Sequence, residues 1–115
     1  MLKTILTSLA TPDAQGNDWY GWAANQMAHA LLGVTVALYF PLAPVIMALI
    51  IGGLKECFDL MRAPLDGAAL LDSAQDASFW MLGAYLVTAS DTNLGVIFLV
   101  FGLVCGVIPR LRKSN

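Results

Sequence analysis

The feature that most limits how this chain can fold is the length of its uncharged apolar runs. "WYGWAANQMAHALLGVTVALYF", Trp19 to Phe40, is 22 residues without an Asp, Glu, Lys or Arg. That is enough helix to cross the hydrocarbon core of a bilayer, which takes about 20 residues. Composition extends the point to the whole chain. Hydrophobic residues make up 58% of the 115, charged residues 12%, and the mean hydropathy is +0.72. Soluble domains carry about 25% charged residues, so a soluble fold of this size would lack the polar side chains to cover itself. The fold class expected is an all-α membrane protein.

Punctuation divides the chain further. "TPDAQGND" is a polar linker, and Asn17 or Asp18 can cap the helix that follows. Trp19, Tyr20 and Trp22 read as an interfacial aromatic belt, with Tyr39 at the other end. "PLAP" breaks this first helix, and a second begins within it and runs to about Met61. "RAPLDGAALL" reads as a loop containing Asp66, and a third helix starts near Asp72, which could serve as its N-cap or as a ligand. "SDTN" is a tight turn, and "LGVIFLVFGLVCGVI" is a fourth helix. The expected architecture is four transmembrane helices in two hairpins. Residues 1–18 form an N-terminal interfacial segment and linker, residues 19–109 the transmembrane domain, and residues 110–115 a basic tail.

Charge favours four spans over three. With four, Lys3, Lys55, Arg62, Arg110, Arg112 and Lys113 all fall on one side, against the single acid Asp91 on the other. Excess Lys and Arg marks the cytoplasmic side, which places both termini there and suggests a bacterial inner membrane. The net charge of −2 and pI near 4.9 give no support for nucleic-acid binding. Lipid is the expected surround, with other membrane subunits or a second copy as candidate partners. Cys57 and Cys105 lie far apart in apolar stretches and read as small packing residues, not a disulfide.

Against this apolar background the polar residues stand out. Glu56 and Asp59 are three apart at the end of the second helix, so they share a face, as do Asp72 and Asp76, four apart. His29 lies deepest, with Asn25 and Gly33 on its stripe. Asn25, His29, Lys55, Glu56, Asp59, Asp72 and Asp76 can therefore converge between three helices. Simpler readings exist for several: Lys55 and Arg62 as snorkelling anchors, Asp59 paired with Arg62, His29 as an interhelical hydrogen-bond partner. Glu56 and Asp76 fit such readings least, because a carboxylate inside an apolar helix is costly unless paired or used. Close packing is expected at Gly33, Gly52, Gly53 and Gly83, and at the Gly102/Gly106 pair.

"NQMAHALLG", "GGLKECFD" and "DSAQDASFWMLG" together resemble the H-xxx-G … KE-xx-D … D-xxx-D arrangement of a small bacterial and phage-encoded membrane family, similar to the VanZ-like proteins and the YfiM-type lipoprotein domain. The resemblance implies that His29, Glu56, Asp59, Asp72 and Asp76 belong together, and it names no reaction. Asn25 and Gln26 depart from the Asp-Lys often found before that His, and Phe79 and Trp80 replace a small residue.

Two main functions fit. One is a structural or binding membrane subunit whose cluster locks helices together or holds a cation or cationic partner group. The other is a metal-dependent membrane hydrolase acting on a lipid-linked substrate, with His29, Glu56 and Asp76 as candidate ligands for a divalent metal and a spare carboxylate as base. A phage lysis protein of holin type is a third. No GxSxG, HExxH, P-loop or Cys–His pair is present.

Overall fold

The computed structural model describes Lys3, residues 18–62 and residues 64–114. The interfacial segment expected over residues 1–18 falls outside these, apart from Lys3 and Asp18. The described residues contain no strand. Four helices follow one another: α1 (Trp19–Tyr39), α2 (Pro44–Leu60), α3 (Gly67–Thr88) and α4 (Thr92–Ser114).

Local chemistry sets their ends. Asp18 caps α1, its carboxylate accepting from the Tyr20 amide at 3.1 Å. The helix stops at Phe40, which leaves the helical region because Pro41 follows. Pro44 opens α2 at the first helical position, where its missing N–H costs nothing. Asp66 caps α3 by accepting from the Ala69 amide at 2.8 Å. This corrects the expectation of a loop at Asp66 and a helix start at Asp72: α3 begins five residues earlier, and Asp72 lies inside it, buried. The helix α4 also runs further than expected, through Pro109 to Ser114, so the basic residues Arg110, Arg112 and Lys113 are helical.

The closest crossing is α1 on α3. A Cβ at Gly33 would collide with the Trp80 carbonyl oxygen, and one at Gly83 with that of Ala30. Only glycine at both positions lets the two backbones touch. Trp80 also covers Gly52 of α2, where an added Cβ would stand 2.7 Å from its Cγ. Gly53 differs: nothing lies within 4 Å of it, so it is no packing residue, since it faces away from α3. Val36, Ala37, Ala48, Trp80 and Ala84 form the apolar core between α1, α2 and α3.

On α4, Gly102 faces Phe79, and Gly106 lies under the Trp22 indole. Trp22 is thus 1% exposed, packed edge-on to Phe79 at 6.3 Å and overlaid by Arg110 at 4.5 Å. It belongs to the interior, not to an aromatic belt with the exposed Trp19 and Tyr20. Among the described residues the backbones of α2 and α4 stay more than 8 Å apart at every Cα pair. Cys57 and Cys105 are free and exposed instead of packed inside.

Among the described residues, one helix by itself is long and apolar enough to cross a membrane: α4, over Thr92–Lys113, with hydropathy 2.3. With 17 residues, α2 is short, and α1 and α3 spend helix positions on Asn25, Gln26, His29, Asp72, Ser73 and Asp76. Those six residues are all buried.

Candidate functional site

His29 sits on α1 at a depth where no part of it is exposed. Its Nδ1 lies 2.9 Å from the carbonyl oxygen of Asn25, one turn earlier. A carbonyl can only accept, so Nδ1 carries the proton, and in the neutral ring Nε2 presents a lone pair. That lone pair points into a group of charges. Nε2 is 3.2 Å from Lys55 Nζ, 3.7 Å from Glu56 Oε1 and 3.4 Å from Asp76 Oδ2.

The partners come from two helices, α2 and α3. Lys55 and Glu56, adjacent on α2, meet through Nζ and Oε1 at 2.9 Å. Lys55 also reaches one turn down to Asp59 at 2.8 Å. Its ammonium is held by His29, Glu56 and Asp59 rather than reaching outward as a snorkelling anchor. Asp59 pairs with Lys55 and not with the exposed Arg62. From α3, Asp76 accepts from Gln26 Nε2 at 2.6 Å, which ties α3 back to α1. Asp72 lies one turn before Asp76, buried and engaged in interactions of its own.

The structure therefore joins His29, Lys55, Glu56, Asp59 and Asp76 into one connected cluster across α1, α2 and α3. Asn25 contributes its backbone, and its side-chain oxygen finds no partner among the described residues. Gln26, absent from the residues picked out of the sequence, is a full member, fully buried and bonded to Asp76. Its position three before His29 on the same stripe was the available signal. Trp80 roofs the cluster, its ring 6.3 Å from that of His29.

In formal charge, one ammonium faces three carboxylates, Glu56, Asp59 and Asp76, with the buried Asp72 a fourth one turn before Asp76. Glu56, Asp59 and Asp76 are each 4–5% exposed, so water does little to screen the excess. Such a group holds helices together only while its charges are matched by partners, protons or a bound cation. Ligand atoms of His29, Glu56 and Asp76 all lie within 4.8 Å of one another, a spacing a metal ion could bridge.

No family model matches this chain, and no match was found among curated proteins or solved structures. What the site can do is decided by its geometry.

Proposed function

We propose that this is a small integral membrane protein whose buried His/Lys/Glu/Asp cluster serves as a structural or binding core, holding three helices around a cationic centre. The observation that carries the membrane part is inverted polarity. Among the described residues the interior holds eight polar or charged residues against nine hydrophobic ones, five of them alanine. Outside, 27 large hydrophobic residues are exposed, including Leu31, Leu38, Ile46, Phe58, Ile97 and Phe101. A soluble monomer seldom exposes apolar patches on this scale. In lipid the same surface costs nothing, and the inward polar groups explain why α1 and α3 have modest average hydropathy while their outer faces are apolar. The four-span topology with both termini cytoplasmic rests on this and on the one-sided Lys/Arg distribution.

Holding is favoured over turnover because the cluster is closed. His29, Glu56 and Asp76 are 0–4% exposed, and Lys55 already bridges His29, Glu56 and Asp59. The large apolar groove of about 470 Å³, bounded by Val45, Phe79, Leu82, Tyr85, Leu94 and Phe98, has no cluster residue in its lining. A lipid-linked substrate seated there would lie against hydrocarbon, not against a carboxylate.

Alkaline extraction of membranes tests membrane integration, and reporter fusions after Asn115 and within Ser90–Asn93 test topology. The chain should stay with the pellet, with a cytoplasmic signal at Asn115 and a non-cytoplasmic one at the turn. Release into the supernatant, or a non-cytoplasmic signal at Asn115, overturns the reading.

A further inference from the structure

We propose that the cluster is an exchangeable cation site, in which a first-row divalent ion such as Zn²⁺ or Mn²⁺ takes His29 Nε2, Glu56 Oε1 and Asp76 Oδ2 while the Lys55 ammonium steps aside onto Asp59. The proposal rests on the reading of the cluster as a binding core and names what it binds.

Four observations lead there. The first is spacing. Donor atoms about 2.1 Å from a common tetrahedral ion stand about 3.4 Å apart. His29 Nε2 is 3.4 Å from Asp76 Oδ2 and 3.7 Å from Glu56 Oε1. The second is the tautomer. The Asn25 carbonyl holds Nδ1–H, so the free lone pair is the one aimed at the carboxylates, which is how metal-bound histidines are oriented. The third is an orphan. Gln26 is fully buried, its Nε2 is spent on Asp76 Oδ1, and its Oε1 has no hydrogen-bond partner among the described residues. That leaves an oxygen acceptor at the cluster with nothing to accept from. An ion or its bound water supplies what this oxygen lacks. The fourth is charge. Three carboxylates against one ammonium leave a deficit that a divalent ion fills.

Lys55 occupies the place in question, being 3.2 Å from His29 Nε2 and 2.9 Å from Glu56 Oε1. Ion and ammonium compete for the same two donors. Lys55 has somewhere to go, because Asp59 already holds its Nζ at 2.8 Å and its side chain is 26% exposed. One nitrogen donor among oxygens suits a borderline ion better than Mg²⁺ or Ca²⁺.

The test uses the full chain, stripped of metal, in detergent micelles. Zn²⁺ binding is read by competition with a chromophoric chelator, and Mn²⁺ by loss of the free-ion paramagnetic resonance signal. Circular dichroism checks that each protein is helical. One ion per chain is expected. His29→Ala and Glu56→Gln should bind at least about a hundredfold more weakly, since even an outer partner of a ligand is worth about 10- to 100-fold. Lys55→Met, which removes the competitor, should bind several-fold more tightly. Absence of saturable binding to helical wild type and to helical Lys55→Met overturns the proposal, as does binding that Lys55→Met weakens. Should His29→Ala fail to fold, the Lys55→Met comparison decides alone. If no ion binds yet Glu56→Leu still lowers the melting temperature, only the ion proposal falls. If both Glu56 variants melt as wild type does, the fastening role falls as well.

Discussion

The bundle of α1, α2 and α3 and the appended helix α4 are built on opposite plans. In the bundle, polar atoms point inward and are tied across helices: Gln26 to Asp76, His29 to Lys55. Small residues bring the backbones together at Gly33 and Gly83. By contrast, α4 is the one described helix long and apolar enough to cross a membrane by itself, and it is the least buried. It still packs along α1 and α3, with Trp22 on Gly106, Phe79 on Gly102 and Leu86 on Gly95, and lies on α1 as extensively as α2 does. In the lipid surround proposed for this chain, the contrast shows where specificity comes from. Leucine meets lipid as readily as it meets another leucine, so oriented polar pairs and glycine contacts, not hydrophobicity, fix which helix faces which.

The strongest way to break this contrast is to separate the backbones. Gly83→Leu should prevent folding of the bundle, because its Cβ would occupy the place of the Ala30 carbonyl oxygen. Gly106→Leu should instead displace the Trp22 indole and loosen α4 while the bundle persists. Detergent-solubilised yield and thermal melting followed by circular dichroism separate the two outcomes. Equal damage from both would mean that α4 is as integral as the rest.

Next in size is the charge itself. Glu56→Leu takes one acid from Lys55 and His29, which keep Asp59 and Asp76 beside them, and breaking a buried pair from one side costs up to about 3–5 kcal/mol. Glu56→Gln keeps shape and one acceptor, so it should cost less than half of that. Melting temperatures in detergent give the ranking, and a leucine variant as stable as the glutamine variant would remove the cluster from its fastening role.

Smaller effects sharpen the comparison at α4. Arg110 lies over the Trp22 ring at 4.5 Å and donates to the Gly106 carbonyl at 3.0 Å. Arg110→Ala should cost about 0.5–2 kcal/mol, the worth of one cation–π contact. Smallest of all, Gly53→Ala should stabilise by about 0.5–1 kcal/mol, because space is open there and alanine favours helix. A loss on Gly53→Ala would show that a neighbour does pack against it.

Much of the site was legible because polar residues stand out in a sequence that is 58% hydrophobic. His29, Glu56 and Asp76 each have a polar neighbour three or four residues away, Asn25, Asp59 and Asp72, and that spacing groups each pair on one face. What misled was local chemistry with two outcomes. "PLDGAALL" contains a glycine, which suggests a loop, yet Asp66 caps the run and the alanines and leucines carry the helix from Gly67. Trp22 matched an interfacial belt by position, but it also falls on the stripe of Asn25, Gln26, His29 and Gly33, all buried. That periodicity was the better guide. Gln26 escaped notice beside Asn25 because its value comes from a partner fifty residues away, Asp76, that no local pattern reveals. On α4 only the Gly102/Gly106 pair marked the docking face, and it meets Phe79 and Trp22; the apolar residues around it favour no face.

The central claim is that His29 on α1 and Glu56 on α2 act through one another inside the cluster. A double-mutant cycle of His29→Ala and Glu56→Gln, measured by reversible chemical unfolding in detergent, addresses it directly. The account predicts a coupling of at least about 1 kcal/mol, as found for groups in one polar network. Costs that simply add, to within about 0.5 kcal/mol, would contradict it.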